Sequence, residues 1–334
     1  MTQPRVSVVI PLYQTERYIA ETLASVLAQT YSDFEVLVVD DGSRDRGPGI
    51  ARATGDARVR VITQANRGLA GARNTGIREA RGEYVALLDA DDRWHPEKLA
   101  RHVAALEARP NVGLSYSGSR LIGDDGEDLG LAQWPSRPTA RPEDVFCRNP
   151  IGNGSAPVLR RAALDAIAFW DGRLGRVCWF DERFRQSEDV ECWTRLVTTT
   201  PWQLALVPHL LTDYRVNTTG LSANTAAQLE TWRRFRAKVK GYAPALEAAH
   251  GDLAEAFQLR YLARRAVKGG DGLGALRLMH EAFRCAPEIA TAEPVRTAAT
   301  YAAACLGAAT PKSLSDYVMR VALGIAPPRP RVST

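Results

Sequence analysis

The sequence predicts an α/β protein with a doubly wound, mostly parallel sheet, followed by an all-helical C-terminal region. Three observations carry that expectation. Short β-branched runs alternate with helical patterns between Val6 and Ser117, the spacing that parallel strands with crossover helices require. Acidic residues gather at the ends of those runs, where open α/β sheets bind ligands. After about Leu221 the strand signals stop, and stretches rich in Ala, Leu and Arg take over.

Val6-Ser7-Val8-Val9-Ile10 reads as the first strand, halted by Pro11. Ile19, Leu23, Val26 and Leu27 then recur at helical spacing within residues 16–29. Phe34 to Val39 is the second strand and ends in Asp40-Asp41-Gly42-Ser43. A short helix at 50–54 leads to a third strand, Val59-Arg60-Val61-Ile62. Asn66-Arg67-Gly68-Leu69 turns into a helix over 70–80. Tyr84 to Leu88 is a buried strand that runs into Asp89-Ala90-Asp91-Asp92. An amphipathic helix at 96–108 and a fifth strand at 112–117 follow. Residues 124–149 loosen into loop with short pieces of structure, and 156–159 reads as a strand before a helix. A helix starts near Glu188, and strands at 204–207 and 210–214 close the first domain. Helical patterns then occupy 229–239, 244–268, 272–285, 295–305 and 314–323.

Residues 1–222 are therefore expected to form the α/β domain, 223–325 a helical domain, and the Pro-rich stretch 326–334 a disordered tail. At 334 residues, 45% apolar and 24% charged, the composition is that of a globular protein. No run reaches the roughly 18–20 apolar residues that cross a bilayer. No apolar signal segment precedes the first strand, and five scattered cysteines never form a CxxC pair. Both point to reduced thiols and a cytoplasmic location. Residues 1–224 hold 27 basic against 29 acidic side chains, and 225–334 hold 16 against 9. The basic charges of the second part are spread out, as on a solvated helical surface. Contact with an anionic membrane face is the other reading, and nucleic acid is not an expected partner.

Three acidic groups fall at strand ends or at a loop-to-helix junction: Asp40/Asp41, Asp89/Asp91/Asp92 and Glu188/Asp189/Glu191. Crowded carboxylates cost free energy unless a cation or hydrogen-bond donors compensate. Asp89 and Asp91 form a DxD pair whose hard oxygens suit Mg²⁺ or Mn²⁺. Taken alone, DxD is a common pattern, and acids at a helix start also favour its dipole. Between the first two groups, small residues opening a helix offer backbone N–H groups to an anion, with Arg67 and Arg73 as charged donors. Neither GxGxxG nor GxxxxGK[ST] occurs, which argues against a nicotinamide dehydrogenase and an ordinary ATPase.

Val8-Val9-Ile10-Pro11-Leu12-Tyr13, Val38-Val39-Asp40-Asp41-Gly42-Ser43, Asn66-Arg67-Gly68 with Ala72-Arg73-Asn74, and Leu88-Asp89-Ala90-Asp91-Asp92 resemble the family-2 glycosyltransferases of GT-A fold. Ser187-Glu188-Asp189-Val190-Glu191-Cys192-Trp193 resembles that family's ED motif, and Tyr214-Arg215 its YR element. The likeness covers about residues 5–222, and six motifs in the right order make it specific. It implies that Pro11, Tyr13 and Asp41 hold the nucleotide base, with Asp40 beside them. It further implies that Asp89 binds ribose or donor sugar, that Asp91 (with Asp89 as its DxD neighbour) ligates Mn²⁺ or Mg²⁺, and that Arg73, with Arg67 nearby, neutralises the diphosphate. Asp189 would be the general base and Glu188 its support.

The implied activity is inverting transfer of one sugar from a nucleotide sugar, a UDP-sugar above all, to a glycan or lipid-linked acceptor in cell-surface polysaccharide synthesis. Two departures bear on this. Asn217 follows Tyr214-Arg215-Val216 where many members carry His, and the QxxRW motif of processive synthases is absent. Trp134, Trp170, Trp179 and Trp193 are candidates for sugar stacking or for burial, and Asn153 and Ser155 for acceptor contact. A sugar nucleotidyltransferase would carry a Gly-rich, basic signature after the first strand, which Pro11-Leu12-Tyr13-Gln14 is not. A non-catalytic glycan- or partner-binding protein is disfavoured by the presence of Asp91 and Asp189.

Overall fold

The computed structural model describes residues 3–135, 140–216 and 225–309. The tail expected at 326–334, the helix expected at 314–323 and Asn217 lie outside the described residues. The chain divides into two compact units, one of residues 1–223 with 237–246 and one of 224–236 with 247–334.

The first unit starts with β1 (Val6–Leu12), α1 (Ile19–Leu27), β2 (Phe34–Asp40), α2 (Gly47–Ala53) and β3 (Val59–Thr63). It continues through α3 (Gly68–Glu79), β4 (Tyr84–Leu87), β5 (Arg93–Trp94), α4 (Lys98–Glu107) and β6 (Val112–Ile122). Next come β7 (Asp128–Gln133), α5 (Pro142–Arg148), β8 (Pro157–Arg160) and α6 (Arg161–Ala166). The hairpin β9 (Phe169–Asp171) and β10 (Arg176–Cys178) precedes α7 (Glu188–Thr199) and β11 (Gln203–Arg215).

The main sheet runs β3-β2-β1-β4-β8-β6-β11-β5, with β7 on β6. β1 pairs in parallel with β2 and β4, β2 with β3, and β6 with β11, whereas β8 lies antiparallel between β4 and β6. The sheet is therefore mostly parallel, as expected. Consecutive residues feed opposite faces: Val6, Val8 and Ile10 pack under α1 and α4, while Val9 packs under α3. Tyr84, Ala86 and Leu88 follow the first group, and Val85 and Leu87 the second, so both faces are dry. Fully burying a Val or Leu side chain stabilises by about 1.5–3 kcal/mol, which is why β1 and β4 read as continuous apolar runs. α3 lies so close to β1 that a Cβ on Gly76 would stand 2.2 Å from Val9 Cγ1.

The strands expected at 204–207 and 210–214 are one strand, β11, with register shifts between Val207 and Leu210 and between Leu210 and Thr212. Pro208 within that break has no N–H for the ladder, so the local pattern looks interrupted while pairing with β6 resumes beyond it.

The helical region contains α8 (Thr225–Tyr242), α9 (Pro244–Lys268), α10 (Gly272–Cys285), α11 (Ile289–Ala292) and α12 (Pro294–Ala309). In the second unit Ala263, Ala266, Ala275, Met279 and Ala304 form a core of small side chains. Arg236 joins Glu247 (2.8 Å), Asp252 (2.6 Å) and Glu255 (2.6 Å), and Arg233 joins Glu255 (2.8 Å) and Glu281 (2.6 Å). Some of the basic excess of this part is thus engaged within the unit. No described helix is long and apolar enough to cross a membrane.

Candidate active site

Parallel pairing puts the C-terminal ends of β1, β2 and β4 on one edge of the sheet. The first acidic group stands there as a fastening. Asp41 is buried, and its Oδ1 accepts from Gln64 Nε2 (2.6 Å) and the Arg67 backbone N–H (2.8 Å), while Oδ2 accepts from the Gly68 N–H (2.8 Å). One carboxylate thereby holds the loop that enters α3 and satisfies N–H groups a helix start leaves open. Asp40 accepts from the Ser43 N–H (2.9 Å) and from the Thr63 hydroxyl (3.3 Å). Pro11 is buried within β1, and the Tyr13 ring just after it is 51% exposed at this edge. Arg67 turns along its own helix, donating to the Gly71 carbonyl (3.1 Å), Gln64 Oε1 and the Thr75 hydroxyl.

Arg73, on α3, is the arginine that faces the other two acidic groups. It is 1% exposed, and its guanidinium donates to Asp89 Oδ1 (2.8 Å) and to Glu188 Oε1 (2.7 Å). Its carbon lies 5.5 Å from the centre of the Phe180 ring. Burial pulls the arginine's pKa down, but the charges of Asp89, Glu188 and Asp189 outweigh it and hold the group more firmly protonated than usual. Asn74, next in α3, fixes the far wall. Its Oδ1 accepts from the N–H groups of Trp179 (3.0 Å) and Phe180 (2.8 Å), and its Nδ2 donates to the Phe180 carbonyl (2.8 Å).

Within the second and third acidic groups, burial pushes Asp91, Asp92, Glu188 and Asp189 toward the neutral form. Burial, with the Asp89 charge added, pushes the Asp91 carboxyl up to about 6. Burial raises Glu188 to about 7 despite Arg73, with Asp189 adding to the rise. Asp189 is raised as well, by burial first, with Arg73 opposing. It sits in the first turn of α7, where its Oδ1 accepts from the Val190 N–H (2.8 Å). Ser187 before it has a left-handed φ of 60°, which swings the chain into the helix.

Asp92 differs from its neighbours. It is 1% exposed, and its carboxylate accepts from the Ser155 hydroxyl (2.6 Å) and the Arg215 N–H (2.8 Å). Arg215 also donates Nε to the Asp91 carbonyl (2.8 Å) and reaches the carbonyls of Gly123 (2.9 Å) and Asp124 (2.8 Å) and Glu21 Oε2 (2.7 Å). The arginine of the YR pair is thus a brace beneath the acidic turn.

Asn153 and Ser155 are buried and spoken for, Asn153 by Ser119 (2.8 Å) and Ser155 by Asp89 and Asp92. Trp179 and Trp193 belong to the core, whereas Trp134 and Trp170 are 54% and 65% exposed. Among the described residues no set of three His, Cys, Asp or Glu could hold a metal by itself. Asp89 and Asp91 remain a hard-oxygen pair whose mutual repulsion a divalent cation would relieve, completing its sphere with phosphate oxygens and water. The residues present fit such an ion.

An acidic strand end is thus joined by a buried arginine to an acidic helix start, on a sheet of GT-A type. The Glycosyl transferase family 2 model matches residues 7–168, just under half of the chain, and the chain is similar to that family over this stretch. A protein named uncharacterized glycosyltransferase EpsJ, from Bacillus subtilis (strain 168), is 52% identical over 91 residues, 27% of this chain and 26% of its own length. An uncharacterized glycosyltransferase from Rickettsia felis is 30% identical over 202 residues, 59% of this chain and 32% of its own. The matches thus span only about a quarter to a third of these relatives. The fold resembles that of S. aureus TarS 1-349, with a TM-score of 0.57 at 19% identity over 95% of this chain and 92% of the other. It also resembles the mannosyltransferase PcManGT of Pyrobaculum calidifontis in complex with GDP-Man and Mn2+, with a TM-score of 0.57 at 25% identity over 92% and 87% of the two chains.

Proposed function

We propose that the protein is a divalent-metal-dependent, inverting glycosyltransferase that moves one sugar from a nucleotide sugar to a hydroxyl of a glycan or lipid-linked acceptor. The observation that carries this reading is Arg73, buried between Asp89 of the donor edge and Glu188 of α7. It brings acids 99 positions apart in sequence into one charge system, as a reaction that separates a leaving group from a base requires.

Tyr13 offers a ring for the nucleotide base, and Asp41 keeps the loop beside it in place. Asp40, Pro11 and Arg67 shape the same pocket, and Asp89 faces ribose or donor sugar. Asp91 with Asp89 would hold Mn²⁺ or Mg²⁺, which as a Lewis acid stabilises charge on the leaving diphosphate. Arg73 supplies further positive charge at that position. Asp189 takes the proton of the acceptor hydroxyl, and its raised pKa makes it a stronger base than an ordinary aspartate. Glu188 supports it by sharing Arg73. Attack from the side opposite the leaving group inverts the anomeric centre.

UDP-sugar is the preferred donor, on the sequence motifs and on the likeness to TarS, whose structures hold UDP and UDP-GlcNAc; the GDP-Man bound by PcManGT is the competitor. The Eps-named relative supports a place in polysaccharide synthesis. Calorimetry with UDP and GDP, with and without Mn²⁺, tests the reading. Wild-type protein should bind one of them only with metal, Asp91→Ala should lose that binding, and Asp189→Ala should keep it. Failure of the wild type to bind either nucleotide sinks the proposal.

A further inference from the structure

Asn153-Gly154-Ser155 reaches the acidic turn from the segment that precedes β8, 61 positions or more downstream of Asp92. The Ser155 hydroxyl accepts from the Asp89 N–H (2.9 Å) and donates to Asp92 Oδ2 (2.6 Å). The other Asp92 oxygen takes the Arg215 N–H (2.8 Å), and Arg215 Nε returns to the Asp91 carbonyl (2.8 Å). Residues 89, 91 and 92 are thereby gripped at an N–H, a carbonyl and a carboxylate by two side chains from outside the turn. The Gly154 backbone lies against the same ion pair. A Cβ there would stand 2.1 Å from an Arg73 terminal nitrogen and 3.0 Å from Asp89 Oδ2.

The tripeptide is itself anchored from behind. Asn153 Oδ1 accepts from the Ser155 N–H (3.1 Å), and its Nδ2 donates to Ser119 (2.8 Å). The Ser155 carbonyl accepts from Trp94 Nε1 (2.9 Å) and from the Thr212 hydroxyl (3.3 Å). The next carbonyl, of Ala156, accepts from the fully buried Lys98 Nζ (2.9 Å). A hydroxyl held this firmly has one orientation to offer, which is what preorganisation of a site demands.

We propose that Ser155 is a positioning residue for donor binding. By joining the Asp89 N–H to the Asp92 carboxylate it sets the direction in which the Asp89 and Asp91 carboxylates face metal and diphosphate. The inference rests on the donor site assigned above, and it takes Asn153 and Ser155 away from the acceptor.

The test measures, by calorimetry with Mn²⁺, the affinity for UDP or GDP, whichever the wild type binds, alongside melting temperature. Ser155→Ala should weaken nucleotide binding about tenfold and raise the Mn²⁺ concentration needed, with a melting temperature near that of the wild type. Ser155→Thr, which keeps the hydroxyl, should stay within about threefold. Asp92→Asn should weaken binding too, and adding Ser155→Ala to it should cost little more, because both act through one contact. Equal affinity of Ser155→Ala and wild type overturns the proposal, as do equal losses in Ala and Thr variants or fully additive losses with Asp92→Asn. Should Ser155→Ala not fold, Asn153→Ala decides: unchanged affinity in that variant overturns the proposal. A wild type that binds no nucleoside diphosphate overturns the donor site instead, and this inference with it.

Discussion

Asp41 and Glu188 are both buried carboxylates, yet they are kept in opposite ways. Asp41 is met by two backbone N–H groups and an amide, fixed donors supplied by the loop it fastens. Glu188 is met by Arg73, which Asp89 shares, and burial leaves its carboxyl at about 7. Backbone donors cannot leave or change charge, so the first arrangement is a latch. A mobile proton on the second is readily exchanged, and such groups cluster where proton transfer is needed. Similar acids at neighbouring junctions thus divide into one that holds the site's shape and one set poised for chemistry.

Removing the shared cation breaks the poised side most severely. Arg73→Met leaves Asp89 and Glu188 facing each other with no compensating charge, and breaking a buried pair costs about 3–5 kcal/mol. Thermal unfolding should show a loss of about 10 °C at neutral pH. A smaller loss at pH 5 than at pH 7.5 is also expected, because protonated carboxyls need no partner. An Arg73→Met protein as stable as wild type at pH 7.5 would show that the three charges do not depend on one another.

Asp41→Ala tests the latch. Two backbone N–H groups lose their acceptor, at about 2–3 kcal/mol together, and the entry to α3 loosens. Hydrogen exchange should quicken over residues 64–70, with little change around Asp189. Exchange that quickens equally at both places would mean the two acidic groups are one unit, and the comparison drawn above would fall.

How much of this was legible in the sequence follows the same division. β1, β2 and β4 announce themselves as apolar runs, and the latch lies at their ends, so Asp40, Asp41, Asp89 and Asp91 could be read locally. The six motifs in order identified the family. The partners were not legible. Glu188 is 115 positions from Arg73, and nothing near either residue announces the pair. Ser155 and Asn153 look like polar groups available to an acceptor, and only the crossing of β8 beside β4 turns them inward. Arg67 and Arg73 looked equivalent on a six-residue spacing, but α3 points one along its own axis and buries the other. β11 was split in two because Pro208 interrupts its pattern, and short β5, β9 and β10 carry too few residues to show a period.

The smallest effect expected is also the one that separates latch from poised group without any change of shape. Glu188 titrates near 7 in the folded protein and near 4.5 when unfolded, so the folded state binds the extra proton between those values. Stability from this group is therefore present at low pH and is lost as pH rises through that window, by on the order of 1 kcal/mol between pH 5.5 and 7.5. Transfer runs the other way. Asp189 must be ionised to accept the hydroxyl proton, and its raised pKa moves the rise of activity to higher pH than an ordinary aspartate would give. Melting temperature should consequently fall, and turnover rise, as pH increases. Glu188→Gln removes the titrating group while keeping its shape, and should flatten the melting-temperature slope. A slope that survives in Glu188→Gln would assign it to other acids, Asp91 first, whose carboxyl stands at about 6. A wild-type slope that rises with pH would remove the poised group altogether.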